Sequence, residues 1–411
     1  MNRSRARVTM RTTAQIVREY RGPALFSFGF RPFFLLAGIF SALAVPLWIA
    51  ALVSGGTFAG TATRDWHVHE MLFGYAPAVA VGYLMIAGAN WTGHYPVAGR
   101  PLMLLTGLWF AGRAAILVAG MDNLVAASLD AAFLPVFAGT LWREQIAARN
   151  GRNLVPCIVV TLLGAANIGF HLRGLHPMAG AASERAAIAA IMLLIATMGG
   201  RLVPSFTRNW IAHHKGGSEP APYDRLDAGA AILTALSLAA WLVLPTEPLT
   251  GVLLGLSGLG LLFRLCRWRG WAAWREPLVW VLHLGYLWLG CGLLLLGFAI
   301  CAPQMIPFSS AIHALTSGAI GVMTLAMMTR TTLSHTGRPR RVGRATVSIY
   351  LLVNAAALLR VLAPMLGNAQ FYILAVSAAL WSSAFGLFVL VYGPMLAAHR
   401  AASVGRKGEA K

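Results

Sequence analysis

Twelve long apolar stretches, parted by short arginine-bearing connections, constrain this chain more than any other feature. They run over about 32–53, 67–88, 101–119, 124–146, 154–172, 186–207, 227–245, 249–266, 277–301, 310–330, 345–366 and 370–396. Each approaches the roughly 20 residues that a helix needs to cross the hydrocarbon of a bilayer. In that medium every backbone N–H and C=O must be bonded within the protein, so only helices and closed barrels span it. Runs of this length therefore predict an all-α, polytopic membrane helix bundle of about 12 transmembrane helices. The chain is 58% hydrophobic and 11% charged, where a soluble domain carries about 25% charged residues. A formal net charge of +20 would suggest nucleic acid in a soluble protein. Here the basic residues are spread over loops and form no single patch, so no nucleic-acid partner is expected.

The connections leave no room for an inserted domain. The chain divides into a basic N-terminal segment (1–30), one membrane domain (31–398) and a short tail (399–411). With the N-terminus inside, the inner loops and termini hold 28 of the 33 lysines and arginines, and the outer loops hold 3, Arg64, Arg173 and Arg185. Such an asymmetry predicts that both termini are cytoplasmic. The basic leader from Met1 to Arg21 resembles the start of a signal peptide, but the apolar run after Arg31 is too long for one. Cys157, Cys266, Cys291 and Cys301 show no CxxC spacing, so neither a disulfide framework nor a thiolate metal site is expected.

Ionisable groups inside spans are costly, which makes each a candidate for function. The densest set is Trp66-His67-Val68-His69-Glu70-Met71-Leu72-Phe73-Gly74 at the outer end of span 2. On a regular helix His67, Glu70, Met71 and Gly74 share one face while His69 points away. Gly74 would then leave space for a flat cofactor. His171 closes span 5 and His313 opens span 10, both on the outer side, so four imidazoles from three spans are expected to converge. Neutral imidazole suits haem iron and copper. Asn167, four residues before His171, is placed to orient that ring. Arg113 and Arg360 lie within spans 3 and 11 and are open to two readings. They pair with the buried carboxylates Glu70 and Asp130, or they hold haem propionates through bidentate contacts. In the second case Glu70 and Asp130 are candidate proton carriers. His213 and His214, on the inner side, are a weaker pair of metal candidates. No P-loop, GxGxxG, HExxH, catalytic triad or CxxCH motif occurs, so a haem would be held without covalent attachment.

These residues sit in blocks that resemble the NnrS family of bacterial membrane proteins. The blocks are Gly29-Phe30-Arg31-Pro32-Phe33-Phe34, the Trp66–Gly74 stretch, Asn90-Trp91-Thr92-Gly93 and Gly200–Trp210. To these add Arg267-Trp268-Arg269-Gly270, Arg275-Glu276-Pro277, His313-Ala314-Leu315-Thr316, Met328-Thr329-Arg330 and His335-Thr336-Gly337-Arg338-Pro339. The resemblance implies a multi-pass protein of the bacterial inner membrane that holds haem, b-type by the lack of an attachment motif, and copper. It implies a role in nitric oxide metabolism, denitrification and nitrosative stress. Its partners would be the bilayer, the small gas and, for a redox enzyme, quinol or another electron donor. A second resemblance is to the catalytic subunit of haem–copper oxidases and nitric oxide reductases, whose twelve spans carry haem-ligand histidines at the outer ends of spans 2 and 10. The chain departs from it, because span 6 carries no histidine and His313 lacks a second histidine two residues away. Binding of nitric oxide, quinol-linked turnover and transport of copper, haem or a metal nitrosyl all remain open at this point.

Overall fold

The computed structural model describes residues 19–55, 62–93, 97–149, 151–214, 219–339 and 342–401. Most of the basic leader and most of the tail lie outside these residues. Twelve helices are long and apolar enough to cross a membrane, and no strand occurs among the described residues. In chain order they are α1 (Phe30–Val53), α2 (Arg64–Thr92), α3 (Arg100–Ala119), α4 (Leu124–Ala147), α5 (Leu154–Gly174) and α6 (Met178–His214). There follow α7 (Arg225–Val243), α8 (Pro248–Arg267), α9 (Pro277–Cys301), α10 (Phe308–His335), α11 (Arg344–Met365) and α12 (Gly367–Ala397). The protein is a multi-pass membrane protein. The helices start on the signals expected of them. Thr63 accepts a hydrogen bond from the Trp66 amide, Asn123 caps α4, and Asp224 with Asp227 forms a capping box on α7. At the other end of α2, Gly93 takes a left-handed φ of 68° that closes the helix.

Three helices occupy the centre. The apolar windows of α2, α6 and α10 are 83%, 72% and 67% buried by protein, against at most 50% in any other span. These three touch one another, while α12 lies along α1 and closes the outer layer. The central helices thus recur at every fourth span. The same three, among the described residues, carry π-helical segments, at Glu70–Tyr75, Ile195–Gly199 and Ala314–Ile320. A π-turn bonds i to i+5, so it inserts a residue and rotates every side chain beyond it relative to a regular helix. Sequence periodicity carries no sign of that rotation. Helix α6 also runs further than its apolar stretch suggests, so His213 and His214 form its last turn instead of a following loop.

The closest pairing of neighbours, α8 with α9, rests on glycine. A Cβ at Gly258 would fall 2.6 Å from the Gly290 carbonyl oxygen, and one at Gly297 would collide with the Gly251 carbonyl. Small residues at such crossings let backbones approach where lipid offers no hydrophobic drive for association. Gly258→Leu is expected to destabilise the protein by about 1–3 kcal/mol or more through overpacking. Gly386→Leu, where nothing lies within 4 Å, should be neutral. Thermal unfolding of both variants in detergent checks the contrast.

Candidate functional site

The histidines near the Thr63 end of the bundle do not form one cluster; they divide between two adjacent sites. On α2 the division is that of a regular helix, where His67 and His69, two residues apart, point to opposite sides, and the π-turn of Glu70–Tyr75 follows them. His67, Met71, Leu72 and Tyr75 face a large cavity, whereas Glu70 and Gly74 face Arg113 of α3. Of the face expected for His67, Glu70, Met71 and Gly74 on a regular helix, His67 and Met71 stay together on the cavity, while Glu70 and Gly74 turn to Arg113. Gly74 makes room for a guanidinium and not for a flat cofactor, since a Cβ there would collide with Arg113 Nη1.

The first site is a buried polar cluster among α2, α3, α4 and α5. His69 is wholly buried, and its Nε2 lies 3.0 Å from Asp130 Oδ2 and 3.0 Å from Asn167 Oδ1. His171 Nε2 reaches the same Asp130 oxygen at 2.8 Å. Asn167 donates to that oxygen at 2.9 Å, so it meets His69 and Asp130 instead of orienting His171. On the far side of His69, Nδ1 lies 3.1 Å from Glu70 Oε1. Arg113 donates from Nη1 to Glu70 at 3.1 Å and pairs through Nη2 with Asp130 Oδ1. Trp109, one turn before Arg113, donates from its indole to the Gly74 carbonyl at 3.0 Å, which serves a carbonyl within the π-turn. Arg113 thus takes the carboxylate-pairing reading and lies away from the cavity.

Charge counting shows what the cluster lacks. Two carboxylates, Glu70 and Asp130, face one guanidinium, and buried charge without a partner is expensive. A cation bound by the imidazoles, or a proton on one of them, restores balance. His69, Asp130 and His171 offer ligand atoms that all lie within 4.8 Å of one another, the group so placed among the described residues. Two imidazole nitrogens and one carboxylate oxygen form a borderline donor set that suits copper or zinc. The cluster fits a metal ion.

The second site is a cavity of about 600 Å³ walled by α1, α2, α6, α7, α10, α11 and α12. That size lies within the usual range for small-molecule and cofactor pockets. His67 stacks on Trp48 of α1, with centroids 4.1 Å apart and planes at 14°. Neither ring nitrogen of His67 makes a hydrogen bond among the described residues, and Nδ1 is buried without a partner. His313, also on the wall, donates from Nδ1 to the Ser309 carbonyl at 2.7 Å. This bond fixes its tautomer and leaves the Nε2 lone pair free to ligate. Arg360 and Arg185 line the same space. Neither forms an ion pair among the described residues, and Arg185 Nε is buried without a hydrogen-bond partner. Arg64 at the rim is bound to Glu184 of α6 at 3.1 Å. Two imidazoles with unbonded nitrogens, two cations without an ion pair among the described residues and apolar aromatic walls fit a flat, dianionic, iron-bearing macrocycle.

The other candidates lie elsewhere. His213 and His214 are exposed at the opposite end of the bundle, and each bonds a carbonyl of its own helix, Asn209 at 2.6 Å and Trp210 at 2.9 Å. On α10 itself, Gly318 and Gly321 admit Trp288 and Trp381 into the helix packing. Trp48, Asn167 in its actual role, and Arg185 carried little sequence signal. Arg185 counted among loop residues, although its neighbour Glu184 and the apolar run after it could have marked a helix entry. No curated protein matches the chain, whereas the family model described as NnrS protein matches residues 24–400. The residues matched include both sites and all twelve helices, and the chain belongs to the NnrS family.

Proposed function

We propose that this protein is a haem- and copper-holding membrane protein that captures nitric oxide in the bacterial inner membrane, with the His67 end facing the periplasm. The observation that carries the reading is the cavity in which His67 and His313 present unbonded nitrogens beside Arg185 and Arg360, which form no ion pair among the described residues. His67 and His313 would hold haem iron, and Arg360 with Arg185 would receive the propionate carboxylates. His69, Asp130 and His171 would hold copper beside it. Bound there, haem iron supplies affinity for nitric oxide and a one-electron couple.

The protein's own groups do the rest. Trp48 holds the His67 ring against rotation, and Ser309 holds the His313 tautomer. The walls from Met71, Leu72, Ile188, Ile312 and Trp381 are apolar and so suit an apolar gas dissolved in the bilayer. Glu70, between His69 Nδ1 and Arg113, is the group placed to hold a proton next to the metal cluster. Asp130, with four partners, acts instead as a ligand and charge anchor.

The test is direct. Protein purified from membranes is expected to show a Soret band that shifts when nitric oxide is added anaerobically, with copper present by elemental analysis. A preparation that melts cooperatively yet takes up neither haem nor copper would overturn the reading. Trp48→Ala should leave haem bound but weaken it by roughly 10–100-fold, as loss of a supporting group does. A haem-transfer titration to apomyoglobin measures this.

A further inference from the structure

A second cavity, of about 450 Å³, lies at the opposite end of the bundle between α6, α7 and α8. Neither the haem cavity nor the metal cluster touches it. Arg201, Arg208 and Arg264 line it, and the only carboxylate among its lining residues is Asp227. Arg264 is almost wholly buried, donating from Nε to Asp227 at 2.7 Å and from Nη1 to the Tyr286 hydroxyl at 3.0 Å. Its Nη2 has no hydrogen-bond partner among the described residues and lies beside Gly200, where a Cβ would fall 2.6 Å away. The guanidinium carbon sits 5.3 Å from the Trp268 ring centroid and 5.9 Å from that of Tyr223, which hold its plane.

Local acids cancel this charge only in part. Asp227 and Asp224 together face the two guanidiniums of Arg264 and Arg267. Among the described residues, Arg208 pairs with the exposed Glu219, at 3.5 Å, and Arg201 bonds the amide oxygen of Asn153, at 3.2 Å. The Ser205 hydroxyl adds a neutral donor to the same walls, while the Thr197 hydroxyl is donated to the Leu193 carbonyl of its own helix at 2.7 Å. Planar guanidiniums around a polar recess match the oxygens of a phosphate group. The volume exceeds what an inorganic ion fills. The arginine asymmetry assigns this end to the cytoplasmic leaflet, where basic pockets between transmembrane helices receive anionic lipid headgroups.

We propose that this recess binds the phosphate of an anionic phospholipid headgroup. The test uses the full-length protein in a neutral detergent, titrated with short-chain phosphatidylglycerol, phosphatidylcholine or inorganic phosphate and read by native mass spectrometry and thermal shift. Phosphatidylglycerol should bind one per protein and raise the melting temperature, with phosphatidylcholine much weaker. Arg201→Gln/Arg208→Gln removes two accessible cations and leaves the Asp227–Arg264 pair in place. It should weaken binding by roughly thirtyfold. Arg143→Gln/Arg344→Gln, which removes two exposed charges outside the recess, should not. Inorganic phosphate saturating the site as tightly as the lipid would refute the lipid source while retaining the phosphate chemistry. Equal binding of phosphatidylcholine, or equal loss in the two double variants, would overturn the site. The Soret band should be unchanged in every variant.

Discussion

His313→Ala is expected to abolish the Soret band of the purified protein while leaving its copper content intact. His313 offers the cavity an Nε2 lone pair whose tautomer Ser309 sets, and no other histidine besides His67 lines that cavity. Loss of a direct ligand should exceed the roughly 10–100-fold that a supporting residue costs, so haem should be lost during purification. His67→Ala should act in the same direction, with the added loss of the Trp48 stack. Optical spectra against protein concentration measure the haem, and elemental analysis measures the copper. A Soret band of wild-type intensity in both variants would remove the ligand assignment. Coincident loss of haem and copper in a well-folded variant would show that the two sites are not separate.

The second large effect is the converse. Asp130→Asn is expected to remove the copper and spare the haem. The substitution keeps the shape of a side chain that meets His69, His171, Asn167 and Arg113, yet it withdraws the anionic ligand. Metal affinity should fall by at least the roughly 10–100-fold quoted for a supporting group. Asp130→Ala goes further, because it strands the buried Arg113 with Glu70 alone. Breaking a buried charge pair from one side costs about 3–5 kcal/mol, so poor expression or a much lower melting temperature is expected. Normal copper content in a folded Asp130→Asn protein would move the metal elsewhere. The exposed His213 and His214 would then be the next residues to replace.

The two variants test a separation that depends on local geometry. His67 and His69 are two residues apart, yet one faces the cavity with Trp48 and the other faces Asp130 and Asn167. The π-turn that follows at Glu70–Tyr75 then sends Glu70 toward Arg113 and keeps Met71, Leu72 and Tyr75 on the cavity side. The polar cluster also depends on Gly112 of α3, where a Cβ would sit 2.9 Å from the Asp130 Cα. That close approach brings Arg113 within reach of both carboxylates.

Hydropathy alone determined the twelve spans, because a backbone in hydrocarbon has no partner except itself and must form helix wherever the apolar run is long enough. Residue types determined which groups deserved suspicion, since imidazoles, carboxylates and guanidiniums inside spans are expensive wherever they lie. Their pairing was decided only by the tertiary structure. Whether Arg113 meets Glu70 or Arg360 meets the cavity depends on how helices rotate about their axes and where a π-turn shifts the register. Those choices follow from packing among α2, α6 and α10, from glycines that admit tryptophans, and from polar groups that find one another across 40 to 100 residues of chain, as His69 does with Asn167, 98 residues away. No window along the sequence contains both partners of such a contact, so no periodicity can reveal it.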